Sequence, residues 1–124
     1  MADLDIENTF LSLDGQGQVR THPAAGFWET VDTNASLLGT LVTTFESQAD
    51  WPHWEMHPEG EEVLILLDGR MTLILDEPNG DRMVEMATGS IFIVPRGVWH
   101  RALVPGPCRL LGITYGAGTT HRPI

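Results

Sequence analysis

The sequence predicts a single-domain, all-β protein built as an antiparallel sandwich or barrel. Three observations support this: a length of 124 residues, turn signals at short and even spacing, and short runs of β-forming residues between the turns. A chain of this length corresponds to one domain and can bury a core without disulfide staples. Short strands separated by glycine- and proline-containing turns are typical of sandwiches and barrels.

The turns and the runs between them define the expected elements. The turn signals are Asp68-Gly69, Pro78–Asp81, Thr88-Gly89, Pro95–Gly97 and Pro105–Pro107. The predicted strands are Val63–Leu67, Met71–Leu75, Met83–Met86, Ile91–Val94, Trp99–Val104 and Arg109–Tyr115, with Gly26–Val31 and Leu37–Glu46 upstream. Leu11–Leu13 or Gln18–Arg20 could add short edge strands. We expect residues 1–25 to form an N-terminal arm, residues 26–116 the barrel and residues 117–124 a C-terminal tail.

The composition excludes several classes of function. The formal net charge is −10, and an acidic surface repels phosphate backbones, so nucleic acid is not an expected partner. The chain has no lysine, which excludes Schiff-base catalysis by its own side chains. Cys108 is the only cysteine, no apolar run is long enough to span a bilayer, and the N-terminus does not resemble a secretory signal. We therefore expect a soluble, cytoplasmic protein with no membrane partner.

Polar residues concentrate in the segment Trp51–Glu62. Because side chains alternate faces along a strand, an extended Trp51–His57 places His53, Glu55 and His57 on one face. Four carboxylates fall within Glu55–Glu62, and such crowding is unfavourable unless a cation compensates or some of them face water. A divalent metal held by imidazole and carboxylate would supply that cation.

A simpler interpretation accompanies each of these residues. Glu59 and Glu61 fit solvated turn positions, and His53 fits a surface histidine. Glu55, His57 and Glu62 alone could form a hydrogen-bonded surface cluster. The tryptophans of this region and Trp99 fit packing positions better than substrate platforms.

A second segment, Gly89–His100, favours the metal site over these simpler interpretations. It contains glycine, five residues, proline, one residue, glycine, two residues and histidine, and therefore resembles the second motif of the cupin family at Gly89, Pro95, Gly97 and His100. The asparagine that the family often places four residues later is Val104 here.

The first cupin motif is matched in part. His57, Glu62 and Gly69 correspond to its later positions with the right gaps. Its first histidine position is Glu55, and Ala49 lies near the place of its upstream glycine. The two motifs together cover about residues 49–104, and the resemblance implies a double-stranded β-helix, or jelly roll.

The resemblance also implies one divalent metal ion, with Glu55, His57, Glu62 and His100 as its ligands. Two imidazoles and up to two carboxylates favour Fe(II), Mn(II), Ni(II) or Zn(II). Two alternatives stay open at the position that departs from the motif. With the metal on three ligands, Glu55 could instead support those ligands by hydrogen bonding or act as a general base, or His53 could supply the missing imidazole. His53 is the less favoured donor, because it lies about 7 Å from Glu55 along a strand.

Several functions are compatible with such a site. The first is a metal-dependent enzyme acting on a small organic molecule, by resemblance a dioxygenase, with isomerase, decarboxylase and cyclase behind it. Glu55 and Glu62 are then its candidate proton-transferring residues. The alternatives are a non-catalytic sensor or binding module, and a metal-independent isomerase or epimerase. Members of the family are commonly homodimers, and the N-terminal arm could exchange a strand between copies.

Strand alternation gives a last expectation about the pocket. Leu64 and Leu66 share the face of Glu62, and Ala102 and Val104 share that of His100. If these side chains point inward, the pocket beyond the site is apolar and tight, and suits a small, partly hydrophobic molecule.

Overall fold

The chain folds into two antiparallel sheets. A computed structural model describes residues 2–124, which form eleven strands and two short helical segments. The strands are β1 Thr9–Leu13, β2 Val19–Pro23, β3 Thr40–Ser47, β4 His53–Met56, β5 Glu62–Asp68, β6 Arg70–Glu77, β7 Gly80–Ala87, β8 Ile91–Val94, β9 His100–Leu103, β10 Cys108–Tyr115 and β11 Thr120–Pro123. The helical segments are α1, Phe27–Thr30, and a 3-10 turn, Val31–Thr33.

The sheets enclose a single cluster of buried apolar side chains. The six-stranded sheet has the order β2-β1-β3-β10-β5-β8 and the five-stranded sheet the order β11-β4-β9-β6-β7. Leu66 on β5, Leu73 on β6 and Leu110 on β10 are fully buried in the core between them. The expected all-β jelly roll is confirmed.

The tight turn between β5 and β6 brings two strands of different sheets close together. Gly69 occupies this turn with φ +100°, a conformation that glycine adopts without strain. A Cβ atom at this position would lie 2.8 Å from Cβ of Cys108. A side chain at position 69 would therefore push β10 away from the turn.

One expected strand is wrong. Gly26–Val31 was expected to be extended, but α1 and the 3-10 turn occupy this region. Gly26 adopts φ +72° and turns the chain, and the ring of Phe27 is buried against Phe10, with ring centroids 5.1 Å apart. Burying Phe27 takes precedence over the local run of β-forming residues that suggested a strand.

The segments outside residues 26–116 extend the sheets. β1 and β2 form where the sequence suggested short edge strands: β2 is an edge of its sheet, and β1 pairs with both β2 and β3 of the same chain. β11, from the segment expected to be a tail, pairs with β4. Exchange of an N-terminal strand between two copies stays a prediction. Among residues 2–124, no helix is long and apolar enough to cross a membrane.

Candidate metal centre

Four acidic and histidine side chains meet between the two sheets. One donor atom from each of Glu55, His57, Glu62 and His100 lies within 4.8 Å of those of the others, so this group could hold a metal ion. These are the four residues that the sequence suggested. His53 shares a strand with Glu55, but its side chain is exposed and outside the group.

Strand pairing explains why distant residues meet here. Glu55 on β4 lies opposite His100 on β9 in the five-stranded sheet. Glu62 begins β5 in the other sheet, and His57 lies in the connection between β4 and β5. The backbone N–H of Gly97, which has φ +78°, donates to the carbonyl of His57 at 2.9 Å. This bond joins the two sequence motifs across the fold.

The distances between the donor atoms fit a single ion. Nε2 of His57 is 3.3 Å from Oε2 of Glu62, and Nε2 of His100 is 3.2 Å from Oε1 of the same carboxylate. Oε2 of Glu55 is 3.8 Å from each of the two Nε2 atoms. Donors bound to one ion at about 2.1 Å are separated by no more than about twice that bond length, and all four of these distances meet the condition.

The tautomer of His57 follows from its neighbours. The hydroxyl of Thr119 donates to the carbonyl of Gly116 at 2.8 Å, so it accepts the hydrogen bond that Nδ1 of His57 makes at 2.8 Å. The proton of the neutral imidazole is therefore on Nδ1. Nε2 then presents a lone pair to the cluster.

His100 is oriented in the same way. Its Nδ1 lies 3.0 Å from the carbonyl of Val98, which can only accept, so Nδ1 carries the proton. The side chain of His100 is fully buried, and His57 is 4% exposed. Among the described residues, Nε2 of both histidines and Oε1 of Glu62 have no hydrogen-bond partner. Three electron-pair donors thus point at one another in a buried place.

The ionisation of Glu62 favours its role as an anion. Burial raises its pKa, but the imidazoles of His100 and His57 and the hydroxyl of Thr114 outweigh this effect and lower the pKa to about 2. The Thr114 hydroxyl donates to Oε2 of Glu62 at 2.5 Å. Glu62 is therefore a carboxylate at neutral pH.

His57 responds to the same charges in the opposite sense. Burial lowers its pKa, but the carboxylates of Glu62 and Glu55 exert a larger combined effect, so the pKa lies above its ordinary value. The cluster thus attracts a positive charge, which a proton on Nε2 supplies in part. A divalent cation satisfies all three unpartnered donors at once, and nitrogen and carboxylate oxygen together suit Fe, Mn, Ni or Zn.

A cavity of about 700 Å³ opens from the centre to the surface. Phe45, Trp51 and Leu41 form an apolar wall, and Trp28 and Asp32, from α1 and the 3-10 turn, lie at its rim. Glu55, His57 and Glu62 are among the lining residues, so a small molecule in this cavity would reach the cluster.

The predicted apolar pocket is corrected in one respect. Leu64, Leu66, Ala102 and Val104 point inward as expected, with exposures of 5% or less. They belong to the packed core and do not line the cavity. Core side chains fill the space on one side of the cluster. The cluster is therefore open on the side that faces the cavity.

Sequence reasoning missed three residues that act on the cluster. The hydroxyl of Thr119 forms a hydrogen bond with His57, and the hydroxyl of Thr114 forms one with Glu62. Nε2 of His121 lies 3.3 Å from Oε1 of Glu55. His121 is in β11, directly opposite Glu55 on β4. A histidine two residues before a proline in a short C-terminal segment gave little sign of a strand. Thr114 could have been found from its place on the strand that pairs with Glu62.

Comparison with known proteins agrees with the sequence motifs. The Cupin_2 family model, described as a cupin domain, matches residues 41–114. No curated protein matches the chain.

Solved structures share the fold at low sequence identity. A cupin-2 domain-containing protein from Shewanella frigidimarina is 18% identical, with a TM-score of 0.54 over 64% of this chain and 74% of its own. An oxalate oxidase is 15% identical, with a TM-score of 0.58 over 66% of this chain and 45% of its own. Fe(II)-HppE with the alternative substrate (S)-1-HPP is 17% identical, with a TM-score of 0.53 over 61% of this chain and 42% of its own.

Proposed function

The chain belongs to the cupin family, and from this premise we propose that it is a metal-dependent enzyme of the dioxygenase type that acts on a small organic molecule. The observation that carries the proposal is the convergence of three buried, unpartnered donors, Nε2 of His57, Nε2 of His100 and Oε1 of Glu62. Leaving such atoms without partners costs free energy, so a fold that aligns them is suited to an ion that binds them.

Two imidazoles and one carboxylate on one side of an ion leave positions open for other ligands. Such a set is typical of non-haem iron sites that use oxygen, and a divalent ion held there would supply Lewis acidity and, if redox-active, oxygen activation. The cavity meets the centre on its open side. Among similar folds, oxalate oxidase is an oxidase by name and HppE is described with Fe(II), which is compatible with this type of chemistry.

The protein side chains would divide the work. His57, His100 and Glu62 hold the ion, and the hydrogen bonds from their far sides fix their orientation. Glu62, with a pKa of about 2, is a weak base and suits binding better than proton transfer. Glu55, which is 27% exposed and lines the cavity, is the group placed to hold or move a substrate proton. Its Oε2 also lies 3.8 Å from Nε2 of both histidines, so Glu55 would be a fourth ligand of an ion held between them.

Metal content and oxygen uptake test the proposal together. We expect purified protein to bind Fe, Mn, Ni or Zn at one ion per chain, and the redox-active form to consume oxygen with a suitable small molecule. His100→Ala should abolish binding, and His53→Ala, a change on the same strand as Glu55 but outside the cluster, should not. A protein with no affinity for any of these ions would refute the proposal. Turnover that resists chelators would favour metal-free isomerisation, and tight ligand binding without turnover a sensor.

A further inference from the structure

The cavity carries a charge pattern that selects among small molecules. We infer that the substrate of this centre is an uncharged or positively charged organic molecule with an apolar body, and not a carboxylate or phosphate ester. The inference rests on the proposed metal-dependent function and names the class of substrate for that site.

The first argument is the charge of the lining. Asp32, Glu55 and Glu62 are the carboxylates that border the cavity. No arginine among residues 2–124 lines it, and the chain has no lysine. An anion entering here would find three negative groups and no guanidinium or ammonium group, which are the usual partners of carboxylate and phosphate.

The arginines on β9 and β11, the two strands that flank Glu55 on β4, have other partners. The guanidinium of Arg101 lies over the ring of Trp54, 5.6 Å from its centroid. Arg122 pairs with Asp76. Recruiting one of them to an anionic substrate would break an existing contact.

The second argument is the charge of the loaded centre. Two neutral imidazoles and the carboxylates of Glu55 and Glu62 around a divalent ion sum to zero. With a neutral group in place of Glu55, the same centre would carry one net positive charge. The present set therefore has no excess positive charge to attract an anion, and oxalate, after which one similar structure is named, is in the disfavoured class.

The two other histidines that line the cavity do not reverse this pattern. Nε2 of His121 lies 3.3 Å from Oε1 of Glu55, so this ring already faces a carboxylate of the cluster and is not free to pair with an anion. His53 lies at the exposed edge of the cavity.

The third argument is the apolar wall. Phe45 and Trp51 lie side by side with ring centroids 5.9 Å apart, and Leu41 adds aliphatic surface. Trp28 is 55% exposed at the rim, not far from Asp32 in sequence, so an aromatic face and a carboxylate lie at the entrance. Aromatic faces attract organic cations, and the wall accepts an uncharged aromatic or aliphatic body equally well.

The test uses three probes with the same ring and different charge: benzyltrimethylammonium, benzyl alcohol and phenylacetate. Binding is followed by calorimetry and by the fluorescence of the cavity tryptophans, with zinc-loaded and metal-free protein at about pH 8, where free imidazole is neutral. We expect benzyltrimethylammonium to bind at least about tenfold more tightly than phenylacetate in both forms, because one unfavourable charge contact of partial exposure is worth about this much. Equal or tighter binding of phenylacetate overturns the inference.

Variants test whether the carboxylates that line the cavity cause the preference for the cation. Asp32→Asn and Glu55→Gln should each reduce the preference for the cation, and Asp32→Asn, which lies outside the metal cluster, should leave binding of benzyl alcohol unchanged. Glu59→Gln, at an exposed carboxylate that does not line the cavity, is the matched control and should change neither. Zinc stoichiometry is measured on the same samples. Failure to bind zinc, and likewise Fe, Mn and Ni, would refute the proposed metal-dependent function, and the metal-free protein would still report the charge preference.

Discussion

Glu55 and His121 lie directly opposite each other on β4 and β11, with Nε2 of His121 3.3 Å from Oε1 of Glu55. On its other side, Glu55 lies opposite His100 on β9 and places Oε2 3.8 Å from Nε2 of that ring. One carboxylate thus connects an exposed histidine to a fully buried one, across three neighbouring strands. Glu55 therefore belongs both to the cavity lining and to the metal cluster. Its role can be measured by substituting it.

If Glu55 is a metal ligand, its removal should weaken the metal site. We expect Glu55→Gln to raise the dissociation constant for Zn²⁺ about 10- to 100-fold, the range seen when groups that support a metal site are lost. Competition with a chromophoric chelator measures this constant. Glu59→Gln is the control, since that carboxylate is exposed and outside the cluster. An unchanged constant with reduced turnover would instead assign Glu55 to proton transfer.

The hydroxyl of Thr119 should affect metal binding without touching the ion. Thr119→Val removes the acceptor for Nδ1–H of His57 and leaves the tautomer and orientation of the ring free. We expect zinc affinity to fall about tenfold, and Thr119→Ser, which keeps the hydroxyl, to restore it. The control is Thr120→Val at the exposed neighbour. An effect of Thr120→Val equal to that of Thr119→Val would point to damage of β11 instead.

The strand pattern and the cluster were predictable because both depend on local periodicity and fixed spacing. Turns rich in glycine and proline delimit Ile91–Val94, which is a strand at the predicted bounds. The identities of His57, Glu62 and His100 followed from two motifs whose spacing reflects the turns between strands. Glu55 followed from alternation along the same strand as His53.

Features that depend on tertiary contacts were not predictable. The helix α1 forms where the sequence suggested a strand, because Phe27 packs against Phe10 after a left-handed glycine. His121 reaches Glu55 only because β11 pairs with β4, a contact between residues far apart in the chain. Without knowledge of strand order, a C-terminal histidine cannot be assigned to the cavity.

The stability of the metal-free protein should fall as the pH rises above neutrality. The folded pKa of His57 lies above its ordinary value of 6.5, so its stabilising charge is fully present below pH 6.5 and is lost as the pH rises through the folded pKa. Metal ions compete with this proton, so the metal-loaded protein should gain stability over the same interval. Urea midpoints of both forms between about pH 6.5 and pH 8.5 measure the two slopes.

Other groups act in different pH windows, which isolates this effect. The folded pKa of His22 is lowered by burial and by Arg20. Its contribution to the free energy of unfolding is therefore fully present above pH 6.5 and is lost only as the pH falls below that value. The folded pKa of Glu62 is about 2 against an ordinary 4.5, so its contribution is lost as the pH falls below 4.5. His57→Asn should therefore remove the alkaline loss of stability from the metal-free protein. Persistence of the slope in this variant would contradict the assignment.

The outer face of the six-stranded sheet suggests how two copies could associate. Ile93 on β8, Val63 on β5, Ile113 on β10 and Val42 on β3 are successive partners across four strands and form an aliphatic row. Ile91 and Ile93 are 64% and 54% exposed, and an exposed apolar face on a chain of net charge −10 is a candidate contact surface.

We therefore expect a homodimer, with this face as its interface. Light scattering should give twice the chain mass of 13.7 kDa, and the double variant Ile91→Lys, Ile93→Lys should give the monomer mass, because it buries two charges in the contact. Met83→Lys is the control, since Met83 is 64% exposed but lies on β7 of the other sheet. A dimer that survives the double variant would favour exchange of an N-terminal strand, and a monomeric wild-type protein would contradict both forms of association.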